Sequence, residues 1–100
     1  MIKIKINMKY IYEFYKNLKK GQVIEIDTDT SMTIHLVDSK EFQKFKLGMK
    51  FISYGGYYED FPCLIEVPYS GEWYVVFESL AHIIFGGEIE YDITIYDEMD

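Results

Sequence analysis

Residues 48–71 read G-M-K-F-I-S-Y-G-G-Y-Y-E-D-F-P-C-L-I-E-V-P-Y-S-G. The stretch holds both prolines, the only cysteine and six aromatic residues. Strands on either side of it can pair only if it turns where glycine permits, because glycine adopts positive φ angles at little cost. The sequence therefore predicts chain reversals at Gly55-Gly56 and at Ser70-Gly71.

Alternating apolar and polar residues surround this stretch, a period of two that is typical of half-buried strands. Residues 2, 4 and 6 are isoleucines that alternate with polar residues, and residues 24 and 26 repeat the pattern. Between these two patterns lies a more aromatic and less regular segment, residues 9–15. The predicted strands are residues 1–7, 9–15, 22–27, 32–37, 49–54, 63–67, 73–77 and 89–95, with 79–85 showing no clear period.

One short helix is predicted at residues 39–47. Asp38 precedes it as an N-cap, and Glu41, three residues later, can reach back to complete a capping box. Phe42 and Phe45 share one face because they are three residues apart, and Gly48 ends the helix. We expect this helix to lie as a lid on the sheet.

Seven to eight short strands with one short helix indicate an all-β fold, either an antiparallel β-sandwich or a partly open barrel. The chain has 100 residues, enough for one core, so residues 1–100 are expected to form a single β domain. Trp73, the only tryptophan, alternates in register with Val75 and Phe77. We therefore expect Trp73 to be buried.

Charge is unevenly distributed along the chain. All ten basic residues are lysines in the first half, whereas the second half carries 11 acidic residues and no base, and the net charge is −7. Nucleic-acid phosphates repel such a chain, and no arginine is present to grip them. One cysteine forms no internal disulfide, and neither a signal peptide nor a membrane-spanning apolar run is evident. We expect a cytoplasmic protein that binds neither nucleic acid nor membrane.

With these elements in place, the chain resembles the small bacterial domain-of-unknown-function 1883 family. The matching segments are K-K-G-Q-V-I-E-I at residues 19–26, L-V-D-S-K-E-F-Q-K-F-K-L-G at 36–48, Y-G-G-Y at 54–57, F-P-C-L-I-E-V-P-Y-S-G-E-W at 61–73, and Gly86-Gly87. The resemblance implies a compact β domain. It also implies a recognition or regulatory role, since some relatives stand beside signalling domains of the TIR type. It carries over no catalytic residues.

The main candidate binding site is aromatic. Tyrosine combines a rigid apolar ring with a polar hydroxyl, so exposed clusters of it favour binding a protein partner or a flat ligand. The alternative is that these rings only cover the rim of the core. The candidate residues are Tyr54, Tyr57, Tyr58, Phe61, Tyr69 and Tyr74, beside Trp73.

A second candidate is an acidic face on the last strand, formed by Glu88, Glu90 and Asp92. Three carboxylates on one face can hold Ca²⁺, but on an exposed strand they are more often simply solvated. They can also pair with Lys3 and Lys5 if the first and last strands are neighbours, as a cross-strand ladder.

Catalysis finds little support in the sequence. His35 shares a strand face with Thr33 and is followed by Asp38, but a general base also needs a nucleophile. His82 is distant in sequence, and Cys63 is predicted to face the core, where thiols are inert. No pair of histidines or cysteines has metal-ligand spacing, so no metal or cofactor is expected.

These observations favour a non-enzymatic recognition module of unknown ligand, linked to bacterial defence or signalling. The alternative is a small acidic inhibitor, of the kind that a phage encodes against a defence protein, which blocks a basic groove with its carboxylates. An enzyme is the third hypothesis and is kept only as a residual, because no set of acid, base and nucleophile can be assembled from the sequence.

Overall fold

The computed structural model describes residues 10–79 and 89–97. The described residues form seven strands and one helix. In chain order they are β1 Ile11–Leu18, β2 Val23–Thr28, β3 Met32–Asp38, α1 Ser39–Lys46, β4 Tyr54–Tyr58, β5 Cys63–Glu66, β6 Gly71–Glu78 and β7 Tyr91–Tyr96.

The strands form two antiparallel sheets. A four-stranded sheet has the order β1-β6-β3-β4, and a three-stranded sheet has the order β5-β2-β7. The all-β prediction is confirmed, and of its two forms the protein adopts the sandwich. Helix α1 follows β3 directly, as predicted.

The core lies between the two sheets, and alternation along each strand decides which side chains enter it. Ile24 and Ile26 of β2 face Trp73, Val75 and Phe77 of β6, and all five are fully buried. Isoleucines of β7 pack against the same core while remaining partly exposed. Full burial of one such side chain stabilises the fold by roughly 1.5–3 kcal/mol, which makes register costly to change.

Helix α1 covers the outer face of the four-stranded sheet, so the protein has three layers along β6. Phe42 of the helix packs with Val37 and Val76, and its ring stacks on that of Tyr74 at a centroid distance of 3.9 Å. The Asp38 carboxylate caps the helix by accepting a hydrogen bond of 2.8 Å from the Glu41 N–H. The Glu41 carboxylate, by contrast, accepts from Lys44 Nζ instead of reaching back to complete a capping box.

The predictions of a strand at residues 49–54 and a corner at Gly55-Gly56 are wrong. Strand β4 begins at Tyr54 and contains both glycines, and Gly55 lies opposite His35 in the ladder. A Cβ at Gly55 would lie 2.2 Å from the Ile34 carbonyl oxygen, and its φ is +147°. This glycine therefore permits a close approach of two strands and does not make a turn. The bend at Tyr69-Ser70 before β6 agrees with the second predicted reversal.

Several predictions fall on residues outside the described ranges. These are the strand at residues 1–7, the segment after Ser79, and the glycines at 86 and 87. Across residues 10–79 and 89–97, no helix has the length and apolar character needed to cross a membrane.

Candidate functional site

Two of the six candidate aromatic residues meet at the surface. Tyr54, at the start of β4, and Tyr69, in the turn before β6, lie with ring centroids 6.4 Å apart and nearly perpendicular. Both rings rest on Trp73, at 5.8 Å and 4.7 Å respectively. Tyr54 is 36% exposed and Tyr69 42%, whereas Trp73 is fully buried. We call Tyr54 and Tyr69 the tyrosine pair.

Hydrogen bonds fix Tyr69 in place. Its hydroxyl donates to Asp38 Oδ2, and its carbonyl oxygen accepts from Trp73 Nε1 at 2.9 Å. The bond to Asp38 is the main reason that the pKa of Tyr69 is raised well above its usual range. Burial alone would raise the pKa of Asp38, but hydrogen bonds from the Tyr69 hydroxyl and from two helix N–H groups outweigh it and lower that pKa.

The turn that carries Tyr69 is anchored to a second turn. The Lys20 N–H, between β1 and β2, donates to Ser70 Oγ at 3.0 Å. Tyr54, in turn, belongs to the β3–β4 ladder through its register with Leu36. Both members of the tyrosine pair are therefore set by secondary structure and hydrogen bonds. The pair thus presents two ordered, differently oriented aromatic rings at the surface.

The other four candidate residues do not join the pair. Tyr58 and Phe61 pack against the core as partly buried residues, so they act as its rim. Tyr74 lies on the outer face of the four-stranded sheet, stacked against Phe42 of the helix. Tyr57 is 63% exposed on β4. The predicted common binding face is thus divided, because strand alternation sends neighbouring aromatic residues to opposite faces.

Acidic residues from β2 and from the segment after it lie beside the acidic face that the sequence predicts on the last strand. Glu88 lies outside the described residues, but Glu90 and Asp92 are exposed and line an open pocket together with Asp27 and Asp29. Asp27 and Asp92 are direct cross-strand partners of β2 and β7. Like charges placed directly opposite one another destabilise a sheet. The sequence showed Asp27 and Asp29 only as parts of a strand end and a turn, since their neighbours depend on the pairing of β2 with β7.

The proposed ladder with Lys3 and Lys5 involves lysines outside the described residues. Within the described ranges, an ion pair joins Lys44 to Glu41, and His35 Nε2 lies 3.3 Å from Glu78 Oε2. Neither of these pairs involves the acids of the β2–β7 pocket. No group of histidine, cysteine and carboxylate side chains among the described residues has the arrangement of a metal site.

His35 has two side-chain partners that the sequence did not indicate. Its Nδ1 lies 3.0 Å from Ser53 Oγ, and its Nε2 lies 3.3 Å from Glu78 Oε2. Asp38, the partner considered from sequence, instead caps α1 and accepts from Tyr69. Ser53 and Glu78 are 18 and 43 residues from His35, so no local motif reveals them. The structure thus brings an imidazole, a carboxylate and a hydroxyl together.

Cys63 lies in the core, as predicted. It is 7% exposed on the inner face of β5, and burial raises the pKa of its thiol. Because a thiol reacts as its thiolate, this environment disfavours nucleophilic chemistry at Cys63. His82, considered as its partner, lies outside the described residues.

Comparison with known proteins gives one family. No curated protein and no solved structure matches the chain. The model of a domain of unknown function, DUF1883, matches residues 8–94, a range that includes the helix, strands β1 to β6 and the first four residues of β7. The chain therefore belongs to the DUF1883 family.

Proposed function

We propose that this protein is a recognition module that binds a protein partner or a small ligand through the tyrosine pair. The observation that carries the proposal is that two exposed tyrosine rings rest on a fully buried tryptophan and that one of them is hydrogen-bonded to a helix cap. This role needs no chemical step and no cofactor.

The tyrosine pair suits binding because its two side chains are already ordered in the absence of a ligand. A side chain that is already fixed loses little conformational entropy on association, so more of the contact energy appears as affinity. Aromatic residues are also enriched at the centres of interfaces, where they dominate the binding energy. The Tyr69 hydroxyl adds a polar group at the edge of an apolar surface.

The proposed setting is the bacterial cytoplasm, in signalling or defence. A net charge of −7 without arginine argues against nucleic acid as the ligand. The same charge argues against an anionic membrane surface. A protein surface or an uncharged planar molecule fits the tyrosine pair better.

Replacing both members of the tyrosine pair by alanine should weaken binding of the natural partner by about 30-fold or more, equivalent to about 2 kcal/mol for a central aromatic contact. The purified protein is used as bait in host lysate, a retained component is identified by mass spectrometry, and its affinity is then measured with purified partners. Tyr57→Ala is the matched control, because Tyr57 is a more exposed tyrosine of the same strand.

Equal affinity of the parent and the Tyr54→Ala/Tyr69→Ala variant, with both folded, would contradict the proposal. An equal loss in Tyr57→Ala would move the site to the outer face of β4. Thermal unfolding of each variant shows whether the sandwich is intact. Tyr69→Phe separates the ring from its hydroxyl, since it removes only the hydrogen bond to Asp38.

The acidic inhibitor is the second candidate, and one observation favours it. Asp27 and Asp92 face each other across β2 and β7 at a cost to sheet stability, and Asp29 and Glu90 line the same pocket. A partner that supplies positive charge would offset that repulsion. The carboxylates of this pocket would then occupy a basic groove of the target protein.

Neutralising Asp27 and Asp92 together to asparagine should abolish most of the affinity for a lysine-rich test peptide and flatten its salt dependence, because the charges that attract the peptide are gone. The measurement is titration calorimetry at several salt concentrations. Glu66→Gln with Glu72→Gln is the matched control, since it removes the same charge from exposed positions outside the pocket. Identical behaviour of the two double variants would rule out the pocket as the binding site.

A further inference from the structure

The outer face of the four-stranded sheet carries a group that the binding role does not use. His35 of β3 lies between Ser53, in the segment that leads from α1 to β4, and Glu78, at the end of β6. The side chains of His35 and Glu78 are 15% and 20% exposed. The group is thus partly sheltered and still open to solvent.

The hydrogen-bond roles follow from the donors available. A carboxylate only accepts, so the 3.3 Å contact to Glu78 requires a hydrogen on His35 Nε2. In the neutral ring the other nitrogen, Nδ1, then carries a lone pair, and this lone pair accepts from the Ser53 hydroxyl at 3.0 Å. The hydroxyl therefore has a base within reach, and a carboxylate orients that base. Such a chain of hydroxyl, base and orienting acid is the structural sign of an activated nucleophile.

We propose that Ser53 is a nucleophile for acyl transfer, with His35 as its general base and Glu78 as the residue that orients His35. The substrate class is an uncharged carboxylic ester with an apolar acyl group. The rings of Phe45 and Phe51 lie 5.9 Å and 5.2 Å from the His35 ring and give the site an apolar wall. Glu78 and the net charge of −7 disfavour anionic esters.

The reaction needs no reactant other than the ester and water. Ser53 Oγ forms a bond to the carbonyl carbon while its proton passes to His35 Nδ1, and Glu78 stabilises the imidazolium. The bond from the carbonyl carbon to the alcohol oxygen then breaks, and the alcohol leaves with the proton from Nδ1. Water hydrolyses the acyl-serine in the same way, which returns the proton to Ser53 and releases the carboxylic acid.

A developing oxyanion needs a donor beside the nucleophile. The backbone hydrogen bonds that join the turns, loops and caps of the described residues include none donated by the N–H of Ile52 or Ser53. These two N–H groups lie in the segment between α1 and β4, and one of them is the N–H of Ser53 itself. These two amides are the groups that the proposal assigns to the oxyanion.

The test uses an alkyl fluorophosphonate, which forms a covalent adduct with activated serines. The parent protein should acquire one covalent adduct, located on Ser53 by peptide mass spectrometry. Ser53→Ala should show none, and Glu78→Gln should react more slowly. His35→Gln should react at least about 100-fold more slowly, the usual contribution of a general base. The parent should also release nitrophenolate from 4-nitrophenyl butyrate, in parallel with its labelling.

Circular dichroism first establishes that each variant is folded. No adduct on Ser53 of the folded parent overturns the proposal, and so does an equal labelling rate in folded His35→Gln. If His35→Gln does not fold, the parent's rate between about pH 5 and 8 decides, because a histidine base makes it rise with pH and a flat profile excludes that base. If Ser53→Ala is not labelled but still binds the partner of the tyrosine pair, the acyl-transfer activity is separate from the proposed recognition function.

Discussion

Trp73→Ala should unfold the domain or leave it close to unfolding. The indole is fully buried between the sheets, and its Nε1–H supports the turn that carries Tyr69. Truncating a buried tryptophan costs about 3–5 kcal/mol, whereas a small domain has only about 5–15 kcal/mol in total. At about 4 °C or more per kcal/mol, the unfolding midpoint should fall by more than about 12 °C.

The measurement is thermal unfolding followed by far-ultraviolet circular dichroism, with Leu47→Ala as the control. Leu47 is 73% exposed, so its truncation should change the free energy of unfolding by no more than about 0.5 kcal/mol. A Trp73→Ala variant that melts like Leu47→Ala would mean that the tryptophan does not hold the two sheets together.

Gly55→Ala and Gly56→Ala should differ sharply although the two glycines are neighbours. A Cβ at Gly55 would meet the Ile34 carbonyl oxygen at 2.2 Å, and its φ of +147° is unfavourable for any other residue. Backbone strain of about 1–3 kcal/mol and overpacking of about 1–3 kcal/mol together predict a loss of about 2–6 kcal/mol. A Cβ at Gly56 meets nothing within 4 Å, so Gly56→Ala should change stability by about 1 kcal/mol or less.

Urea unfolding of both variants gives the two free energies directly. The contrast is more informative than either value, because each substitution adds the same methyl group to the same strand. Equal losses would show that the close approach of β4 to β3 does not depend on Gly55.

The elements that the sequence predicted well are those decided by local chemistry. The alternation of Ile24 and Ile26 is a property of β2 alone, and the Asp38 cap needs only the residues that follow it. The sequence predicts a turn at Gly55-Gly56 because a glycine dipeptide is typical of turns, whereas the role of Gly55 is set by the Ile34 carbonyl on another strand. A close approach between strands leaves no local pattern.

The candidate sites were likewise predictable in residue type but not in the neighbours of each residue. The sequence predicts Tyr54 and Tyr69 as members of one aromatic group with Tyr74. Their separation from Tyr74 depends on the side of the four-stranded sheet on which each ring lies. The partners of His35 lie in the segment before β4 and at the end of β6, and only the completed sheet brings them together. Residue type indicated which side chains were suitable, and topology decided their neighbours.

Asp38 connects the tyrosine pair to the start of helix α1. One of its oxygens holds the Glu41 amide at the start of α1, and the other holds the Tyr69 hydroxyl. A ligand of the kind proposed that drew this hydroxyl away would alter the hydrogen bond between Asp38 and the amide, and would thereby link its binding to fraying of the first helical turn. If the proposed ligand binds, solvent exchange of the Glu41 amide hydrogen should therefore differ between the free and the bound protein.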